Sequence, residues 1–424
     1  MPDTMSNPKH DRDVLIVGGG IAGLSCALEL TKQQISCRIF EASDRIGGRV
    51  QTDEVQGFLL DRGFQVFLTA YPEAARVLDY AALELCSFEP GALIHIGGRF
   101  HRLSDPWRRP QHLFATALSA AASLSDKLRI GSFRKSTTQP SLSELFHHPE
   151  TKTLELLRQR GFSEVIIEKF FRPFLGGVFL DRELATSSRM CEFVFRMFST
   201  GSAAIPKAGM KAIPEQLANQ LPAETIVCNQ SVTDVSGTSL TFSDGNRADG
   251  RAIVVATDAP AARRLFDDDY PASGQSVTCL YFAADQAPIK EPILLLNGDP
   301  TGPINNLCVP TLLSPNFAPN EKHLISVTVL GEHPDEESLI RDVLHQAHAW
   351  FPGEIESWSH LKSYSIPYAL PTMNPPALSP VAKAAHRNGP HFICGDHCDT
   401  ASINGAMASG RRAAEAVQQW ISQK

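Results

Sequence analysis

Residues 13–49 read DVLIVGGGIAGLSCALELTKQQISCRIFEASDRIGGR. The stretch opens on an almost unbroken apolar run, residues 13–17, which is typical of a parallel strand buried on both faces. Gly18, Gly20 and Gly23 follow at G-x-G-x-x-G spacing. The first glycine permits a tight turn, the second lets the backbone approach a pyrophosphate, and the third lets the next helix close onto the strand. The free N–H groups at the start of that helix can hold an anion.

A second strand is predicted over residues 35–40 and ends at Glu41. An acidic side chain about 20 residues after such glycines binds a ribose hydroxyl in dinucleotide-binding folds. Strand, glycine turn, helix, second strand and carboxylate therefore occur here in the order that a Rossmann-like unit requires. The alternative is an ordinary glycine turn in an α/β core.

The next residues resemble a known family. Residues 44–49, DRIGGR, are similar to the R-x-G-G-R continuation of the FAD-dependent family that includes monoamine oxidases, protoporphyrinogen oxidase, phytoene desaturases and hydroxysqualene dehydroxylase. Paired glycines would let the backbone approach a flat ring, and Arg49 would neutralise the pyrophosphate. The resemblance thus implies FAD as the cofactor. The cofactor-binding residues that it implies in this part of the chain are Gly18, Gly20, Ile21, Ala22, Gly23, Glu41, Ala42, Gly47, Gly48 and Arg49.

Composition narrows the function classes. The 424 residues predict two or three domains, and a hydrophobic share of 43% with 20% charged residues argues against disorder. A net charge of −7 without a basic run argues against a nucleic-acid partner.

Nine cysteines without C-x-x-C spacing predict reduced thiols in a cytoplasmic protein. Residues 1–12 lack the apolar core of a signal peptide and are predicted to be disordered. The longest apolar stretch, residues 113–124, is too short and too polar to span a membrane.

Two later segments extend the family resemblance. Residues 61–63, DRG, are similar to a D-x-G step where the chain passes over the flavin, which places Gly63, Phe64, Gln65 and Val66 at the cofactor. Arg62 and Phe64 depart from the polar residues expected in hydroxysqualene dehydroxylase, which weakens any transfer of its substrate. Residues 392–406, FICGDHCDTASINGA, resemble the second FAD motif of the family.

This second motif carries its own expectations. Asp396 would accept hydrogen bonds from the ribityl chain. A helix after Asn404 would direct its positive end at the flavin and stabilise the charge that develops on reduction. The cofactor-binding residues implied by the later segments are Gly63, Phe64, Gln65, Val66, Val232, Gly395, Asp396, Ile403, Asn404 and Ala406.

The middle of the chain predicts a substrate domain. Residues 72–206 read as helical, and the phenylalanines of residues 170–198 are predicted to form core together with one wall of an apolar cavity. Residues 277–282 and 323–329 are predicted strands of a mixed sheet. Residues 239–242 and 253–257 are predicted to form a hairpin. Residues 366–371, IPYALP, read as a rigid loop.

The predicted fold class is α/β, a Rossmann-like FAD-binding domain of the glutathione-reductase type with a discontinuous α+β substrate domain built on a mixed sheet and helices. The predicted FAD-binding domain comprises residues 13–71, 205–270 and 385–424. The predicted substrate domain comprises residues 72–204 and 271–384.

The predicted reaction is hydride removal from a carbon of an apolar, isoprenoid or lipid-like substrate onto flavin N5. The electron acceptor, oxygen or quinone, and the oligomeric state stay open. FAD is expected to be non-covalent, because Cys394 and Cys398 lie in no recognised linkage motif, and no metal site is predicted. Tyr368 and His397 are the candidate catalytic residues. A lipid substrate would fit a cytoplasmic protein that associates transiently with membranes.

Three rival functions stay open. An amine oxidase would use a lysine-held water near the flavin, for which Lys290, Lys322 and Lys362 are candidates. A non-catalytic prenyl-binding protein can share the fold, although the intact FAD motifs argue against it. A nicotinamide dehydrogenase fits less well, because the second motif is typical of FAD enzymes.

Overall fold

The computed structural model describes residues 13–104, 122–267 and 271–423. The predicted disordered segment 1–12 and most of the apolar stretch 113–124 lie outside these ranges. No helix within them combines the length and the apolar character that a bilayer-spanning helix needs.

A six-stranded sheet, here called the nucleotide sheet, is built around the opening strand Val14–Val17. All of its neighbouring strands are parallel except the final pair. Its strands come from all three segments predicted for the FAD-binding domain. Their order is Ile226–Val227, Cys37–Phe40, Val14–Val17, Ala252–Val255, His391–Ile393 and His386–Asn388.

Two helices pack together beside the nucleotide sheet. Ile21–Lys32 follows the glycine turn, and Ile403–Ser422 closes the chain. Gly410 lies so close to the first helix that a Cβ there would be 2.3 Å from the carbonyl oxygen of Ala22. A glycine at position 410 therefore allows the backbones of the two helices to approach closely.

The predicted hairpin is wrong in its second strand. Ser239–Phe242 pairs with Val232–Ser236 and with Arg247–Asp249 in a separate three-stranded sheet. The apolar segment Ala252–Val255 lies instead in the nucleotide sheet, with all four residues buried. An unbroken apolar run suits a central parallel strand better than a hairpin edge.

A seven-stranded mixed sheet, here called the substrate sheet, confirms the two strands predicted in this region. Its neighbours are antiparallel except for the parallel pair Leu294–Asn297 and Gly91–Ile96. The helix Glu336–Trp350 packs on one face, through Leu339, Val343 and Trp350. The strand order is Ser359–Pro371, Gly274–Ala284, His323–Leu330, Asn306–Cys308, Leu294–Asn297, Gly91–Ile96 and Arg99–Ser104.

Two predictions for the substrate domain fail locally. Residues 91–104 are not helical, because Gly97 and Gly98 have φ of +56° and +78° and form the two-residue turn of a β-hairpin. Residues 366–371 are not a loop, because they continue the 13-residue strand Ser359–Pro371.

Short helices and small sheets complete the chain. The helices of the predicted helical region are Pro72–Val77, Leu124–Thr138, Leu142–Phe146, Thr153–Gln159, Glu164–Ile166, the π-helix Ile167–Phe171, Arg172–Phe179 and Ser188–Thr200. Elsewhere the helices are Ala212–Ala218 and Ala259–Phe266, with the 3-10 turns Pro310–Leu312, Pro315–Phe317, Ile355–Ser357 and Asp396–Cys398. Thr52–Val55 pairs with Phe58–Asp61, and Ala203–Pro206 lies between Phe67–Leu68 and Leu85–Ser87.

Candidate functional site

A cavity of about 1820 Å³ lies between the glycine turns of the nucleotide sheet and one face of the substrate sheet. Pockets for a single small ligand are typically about 300–1,000 Å³. The cavity therefore has room for more than one bound molecule.

The glycine turn forms one end of the cavity. Gly18 has φ of +107°, and a Cβ at Gly23 would be 2.0 Å from the Gly18 carbonyl oxygen. A Cβ at Gly20, by contrast, would have no atom within 4 Å. Gly23 is thus needed for backbone packing inside the protein, whereas Gly20 keeps the cavity itself open.

The second glycine pair lies against the first turn. Gly20 and Gly47 form an isolated parallel bridge, and the Gly47 N–H donates to the Gly19 carbonyl at 2.9 Å. Gly48 has φ of +59° and lies close to Gly20. The two glycine-rich segments therefore present a continuous strip of backbone to the cavity.

Glu41 is held at the edge of the cavity by backbone donors. Its Oε2 accepts from the Gly19 N–H at 2.7 Å, and its Oε1 accepts from the Ser43 N–H at 2.9 Å. Ala42 and Val232 line the same region. The carboxylate is thus oriented in advance where a ribose hydroxyl is predicted to bind.

Arg49 and Asp396 connect the first and last motifs. Arg49 Nη2 lies 2.7 Å from Asp396 Oδ1, and Arg49 Nη1 donates to the Ala369 carbonyl at 2.7 Å. Burial opposes the charged carboxylate, but Arg49 holds the pKa of Asp396 well below its usual range. The structure pairs Arg49 with this carboxylate, which the sequence reasoning had assigned to the ribityl chain.

The closing helix begins at Ile403 rather than after Asn404. Ser402 caps it by accepting from the Gly405 N–H at 3.0 Å. Ile403 and Ala406 line the cavity, whereas Asn404 accepts from the Glu73 N–H and lies outside the wall. Asn404 thus fixes a neighbouring helix in place.

The two candidate catalytic residues also lie outside the cavity wall. His397 is buried directly beside Gly395, and its Nδ1 is 3.8 Å from Asp396 Oδ1. Burial disfavours its charged form, but Asp396 and Cys398 together raise the pKa of His397 to about 9. The guanidinium of Arg49 lies 5.6 Å from the Tyr368 ring centre. These positions favour a supporting role for both residues.

Of the 20 predicted cofactor-binding residues, two are absent from the cavity wall, Gly23 and Asn404. The other predicted residues come together around the one cavity. They are Gly18, Gly20, Ile21, Ala22, Glu41, Ala42, Gly47, Gly48, Arg49, Gly63, Phe64, Gln65, Val66, Val232, Gly395, Asp396, Ile403 and Ala406.

An ionic cluster, here called the Asp53 cluster, was missed by the sequence reasoning. Arg45 and Arg62 both bind the Asp53 carboxylate, at 2.7 and 3.0 Å. The Tyr364 hydroxyl donates to it at 2.8 Å, and Lys362 Nζ is 3.9 Å away. Asp53, Arg62, Lys362 and Tyr364 line the cavity. No local motif joins Asp53 to a lysine and a tyrosine some 310 positions later, so only the fold reveals this cluster.

A second missed group follows the strand Ala252–Val255. Thr257, Asp258 and Ala261 line the cavity, and Asp258 caps the helix Ala259–Phe266 through the Ala261 N–H at 2.9 Å. Ligands of open α/β sheets bind at the carboxyl ends of the strands. A correct assignment of this strand would therefore have identified the group.

The wall opposite the glycine turn is apolar. Phe170 and Phe174 stack with ring centres 5.3 Å apart, and Phe174 lies 5.2 Å from Phe198. These three rings and Phe195 line the cavity, whereas Phe171 and Phe193 are buried in the core. The aromatic segment thus divides between packing and the cavity wall, as its sequence predicts.

Residues 21–418 match the family described as flavin containing amine oxidoreductase. The chain belongs to this family. The membership confirms the predicted resemblance, the α/β fold class and FAD as the cofactor, and it places the chain in a family of FAD-dependent oxidoreductases.

Individual relatives of the chain are distant, and the matches with the curated relatives span less than two thirds of those relatives' own length. The chain is 29% identical to coproporphyrinogen III oxidase of Mycobacterium leprae over 40% of its own length and 37% of the relative. It is 24% identical to the Mycobacterium tuberculosis enzyme of that name over 61% of its own length and 62% of the relative. An oxidoreductase structure from Methanosarcina mazei superposes with a TM-score of 0.73 at 18% identity, covering 96% of this chain and 100% of that one.

The cavity fits FAD. A Cβ at Gly20 would project into open space beside the backbone of Gly48, and Glu41 is oriented at the edge of this space. The residues that would hold FAD are those of the two glycine segments, Glu41 and the start of the closing helix. Cys394 and Cys398 are buried outside the cavity wall, and non-covalent attachment remains a prediction.

The Asp53 cluster predicts a specific pH dependence of stability. Burial alone would raise the pKa of Asp53, but hydrogen bonds from Arg62 and Tyr364 lower it to about 2. An unfolded aspartate has a pKa of about 3.9. The contribution of Asp53 is therefore complete above about pH 4 and is lost as the pH falls toward 2.

We expect urea titrations between pH 4 and pH 2 to show a steeper fall in the free energy of unfolding for the wild type than for Asp53→Asn. Asp13→Asn is the control, because Asp13 pairs with Arg251 at 3.4 Å in a more exposed position. Parallel pH slopes for wild type and Asp53→Asn would contradict the assignment.

Proposed function

We propose that this protein oxidises a carbon centre of an apolar, isoprenoid- or lipid-like molecule. The proposal rests on one observation. The aromatic wall and the two glycine-rich segments around Gly20 and Gly47, here called the glycine cradle, line the same cavity. FAD, when bound, supplies a ring system that accepts hydride.

The part of the cavity that is lined by the aromatic wall, here called the chamber, would bind such a substrate through apolar contact. Beyond the four phenylalanines, its wall includes Val178, Val194, Leu294 and Leu296. Burial of apolar surface contributes about 25 cal/mol per Å². The protein's task in this reaction is to exclude water and orient the reacting carbon.

The helix Leu124–Thr138 presents apolar side chains at the rim of the cavity. Leu124 and Leu128 are 72% and 79% exposed and both line the cavity. Apolar side chains exposed next to each other at the mouth of a cavity can mark a site of ligand or membrane contact. They support entry of an apolar substrate at this rim, and transient contact with a membrane remains part of the proposal.

The direct test is anaerobic reduction of the flavin in the purified holoprotein. Isoprenoid alcohols, coproporphyrinogen and primary amines would be added separately, and loss of the oxidised-flavin absorption would be recorded. We expect reduction by an apolar substrate and none by simple amines. Reduction by amines alone would overturn the proposal.

A chamber-filling substitution provides a further prediction. Val178→Trp places an indole in the chamber without touching the glycine cradle, so we expect unchanged flavin content and at least tenfold weaker binding of the apolar substrate. Val165→Trp is the matched control, because Val165 is 54% exposed on the surface. Equal substrate binding by the two variants would place the substrate elsewhere.

Oxidation of an amine is the second candidate function, and one observation favours it. Lys362 lines the cavity, as the lysine of an amine oxidase would, whereas Lys290 is exposed and Lys322 pairs with Asp285. Peroxide formed only on addition of an amine would support this function. A holoprotein that never binds flavin would instead favour the non-catalytic binding protein.

A further inference from the structure

One row of side chains crosses the substrate sheet at right angles to its strands. The strand registers place one residue of each of six neighbouring strands in this row. Neighbouring strands are about 4.8 Å apart, so the row is about 24 Å long. From its apolar to its polar end it contains Ile94, Leu296, Asn306, Thr328, Cys279 and Tyr364.

The two ends of the row have opposite character. Ile94 and Leu296 pack with the aromatic wall, whereas Tyr364 donates to the Asp53 cluster. Asn306 and Thr328 lie between these ends and line the cavity, although each is only 3% exposed. Two buried polar side chains thus face a chamber that is otherwise apolar in this region.

A chain of hydrogen bonds leads through these residues. Asn305 Nδ2 donates to the Pro173 carbonyl at 3.0 Å and to Asn306 Oδ1 at 2.9 Å. Asn306 Nδ2 then donates to Thr328 Oγ1 at 3.1 Å. The Pro173 carbonyl can only accept, which makes Asn305 Nδ2 the donor and fixes the direction of the whole chain.

The last residue in this series of hydrogen bonds, Thr328, still has a hydroxyl hydrogen to donate. Thr328 Oγ1 already accepts from Asn306, so its hydroxyl hydrogen must point away from that amide. Among residues 13–104, 122–267 and 271–423, Thr328 Oγ1 donates no hydrogen bond to another residue. A hydroxyl that accepts one hydrogen bond can still donate one, and Thr328 lines the cavity.

We infer that Thr328 donates a hydrogen bond to an oxygen atom of the substrate. The substrate is then an apolar molecule that carries a hydroxyl, carbonyl or ether oxygen, and a pure hydrocarbon is disfavoured. This inference rests on the proposed function, because it assigns the chamber beside Thr328 to the substrate. Thr328 is a specificity-determining residue with no role in hydride removal.

The test compares two probes that differ in one oxygen, farnesol and the hydrocarbon in which its hydroxyl is replaced by hydrogen. Each is titrated into the FAD-loaded protein, and binding is followed by the change in the flavin absorption spectrum. The quantity compared is the ratio of the two dissociation constants. We expect Thr328→Val to reduce the preference for farnesol about tenfold, the effect of losing one buried hydrogen bond.

Two further variants separate recognition from general damage. Thr328→Ser keeps the hydroxyl and is expected to restore the wild-type ratio. Thr278→Val is the matched control, because Thr278 is equally buried in the neighbouring strand but donates to the Gly331 carbonyl outside the cavity. It is expected to leave the ratio unchanged.

The outcomes separate the inference from the function on which it rests. If the wild type and Thr328→Val bind both probes with the same ratio of dissociation constants, the inference is overturned. The proposal that the chamber binds an apolar substrate is then unaffected. Binding of neither probe by the wild type overturns the apolar-substrate proposal and the inference with it. A shift of the ratio in Thr278→Val as large as in Thr328→Val would also overturn it, because the effect would then be general.

Discussion

Gly20→Ala is expected to give a folded protein that has lost at least tenfold in affinity for FAD. A Cβ at Gly20 would meet no protein atom within 4 Å, and φ at this residue is −74°. The new methyl therefore strains nothing in the chain, and it occupies the space into which the dinucleotide backbone must fit. A tenfold loss corresponds to about 1.4 kcal/mol.

Gly23→Ala is the matched control for this prediction, since it adds the same methyl three residues later. That methyl would lie 2.0 Å from the Gly18 carbonyl oxygen, and overpacking of this kind typically costs about 1–3 kcal/mol. Urea unfolding of the flavin-free proteins should therefore show wild-type stability for Gly20→Ala and a loss for Gly23→Ala. If Gly20→Ala bound FAD with the full affinity of the wild type, the glycine turn would not be part of the FAD-binding site.

Arg49→Met is expected to lower the free energy of unfolding by about 3 kcal/mol, because the buried and charged Asp396 loses its direct ion pair and keeps His397, 3.8 Å away, as a cationic neighbour. The side chain of Asp396 is 6% exposed. The variant also loses the hydrogen bond to Ala369 and, with it, one connection between the nucleotide and substrate sheets. We expect weaker retention of FAD as well.

Arg158→Met is the control for the lost ion pair. Arg158 and Glu164 are 2.8 Å apart, but their side chains are 52% and 59% exposed. Such surface pairs contribute at most about 1 kcal/mol. The measurement is urea unfolding at neutral pH, where Asp396 is ionised. Equal losses for the two variants would show that the buried pair does not stabilise the fold.

The sequence predicted the parts of the fold that depend on local pattern. Gly18 and Gly23 lie in a strand–turn–helix unit because each relieves a local steric conflict, and Gly20 between them leaves the cavity open. The second motif, around Asp396, was found in the same way. Both are short segments whose function follows from neighbouring residues.

The pairing of strands that lie far apart in the sequence could not be predicted from the sequence alone. The unbroken apolar run Ala252–Val255 favours a central parallel strand, but the sequence does not say that its neighbours are Val14–Val17 and His391–Ile393. The position of Asn404 outside the cavity wall was not predicted, for a related reason. Its side chain caps a helix that begins more than 300 residues earlier, at Pro72.

Some information was present in the sequence and was not used. Gly97 and Gly98 form a Gly-Gly pair, which is a hairpin signal, yet the surrounding region was assigned to helices. The Asp53 cluster and Thr328 carried no such signal. Their importance depends on which strands become neighbours.

The strand order of the nucleotide sheet also determines when this sheet can be completed during synthesis of the protein. Ala252–Val255 is completed long before its partner His391–Ile393, and at about 5–20 residues per second the intervening chain takes roughly 7 to 27 s to make. Throughout that interval one edge of an entirely apolar strand has no neighbour, and such edges recruit other chains. We therefore expect the nascent chain to depend on chaperones, and FAD to be bound only after the last helix has left the ribosome.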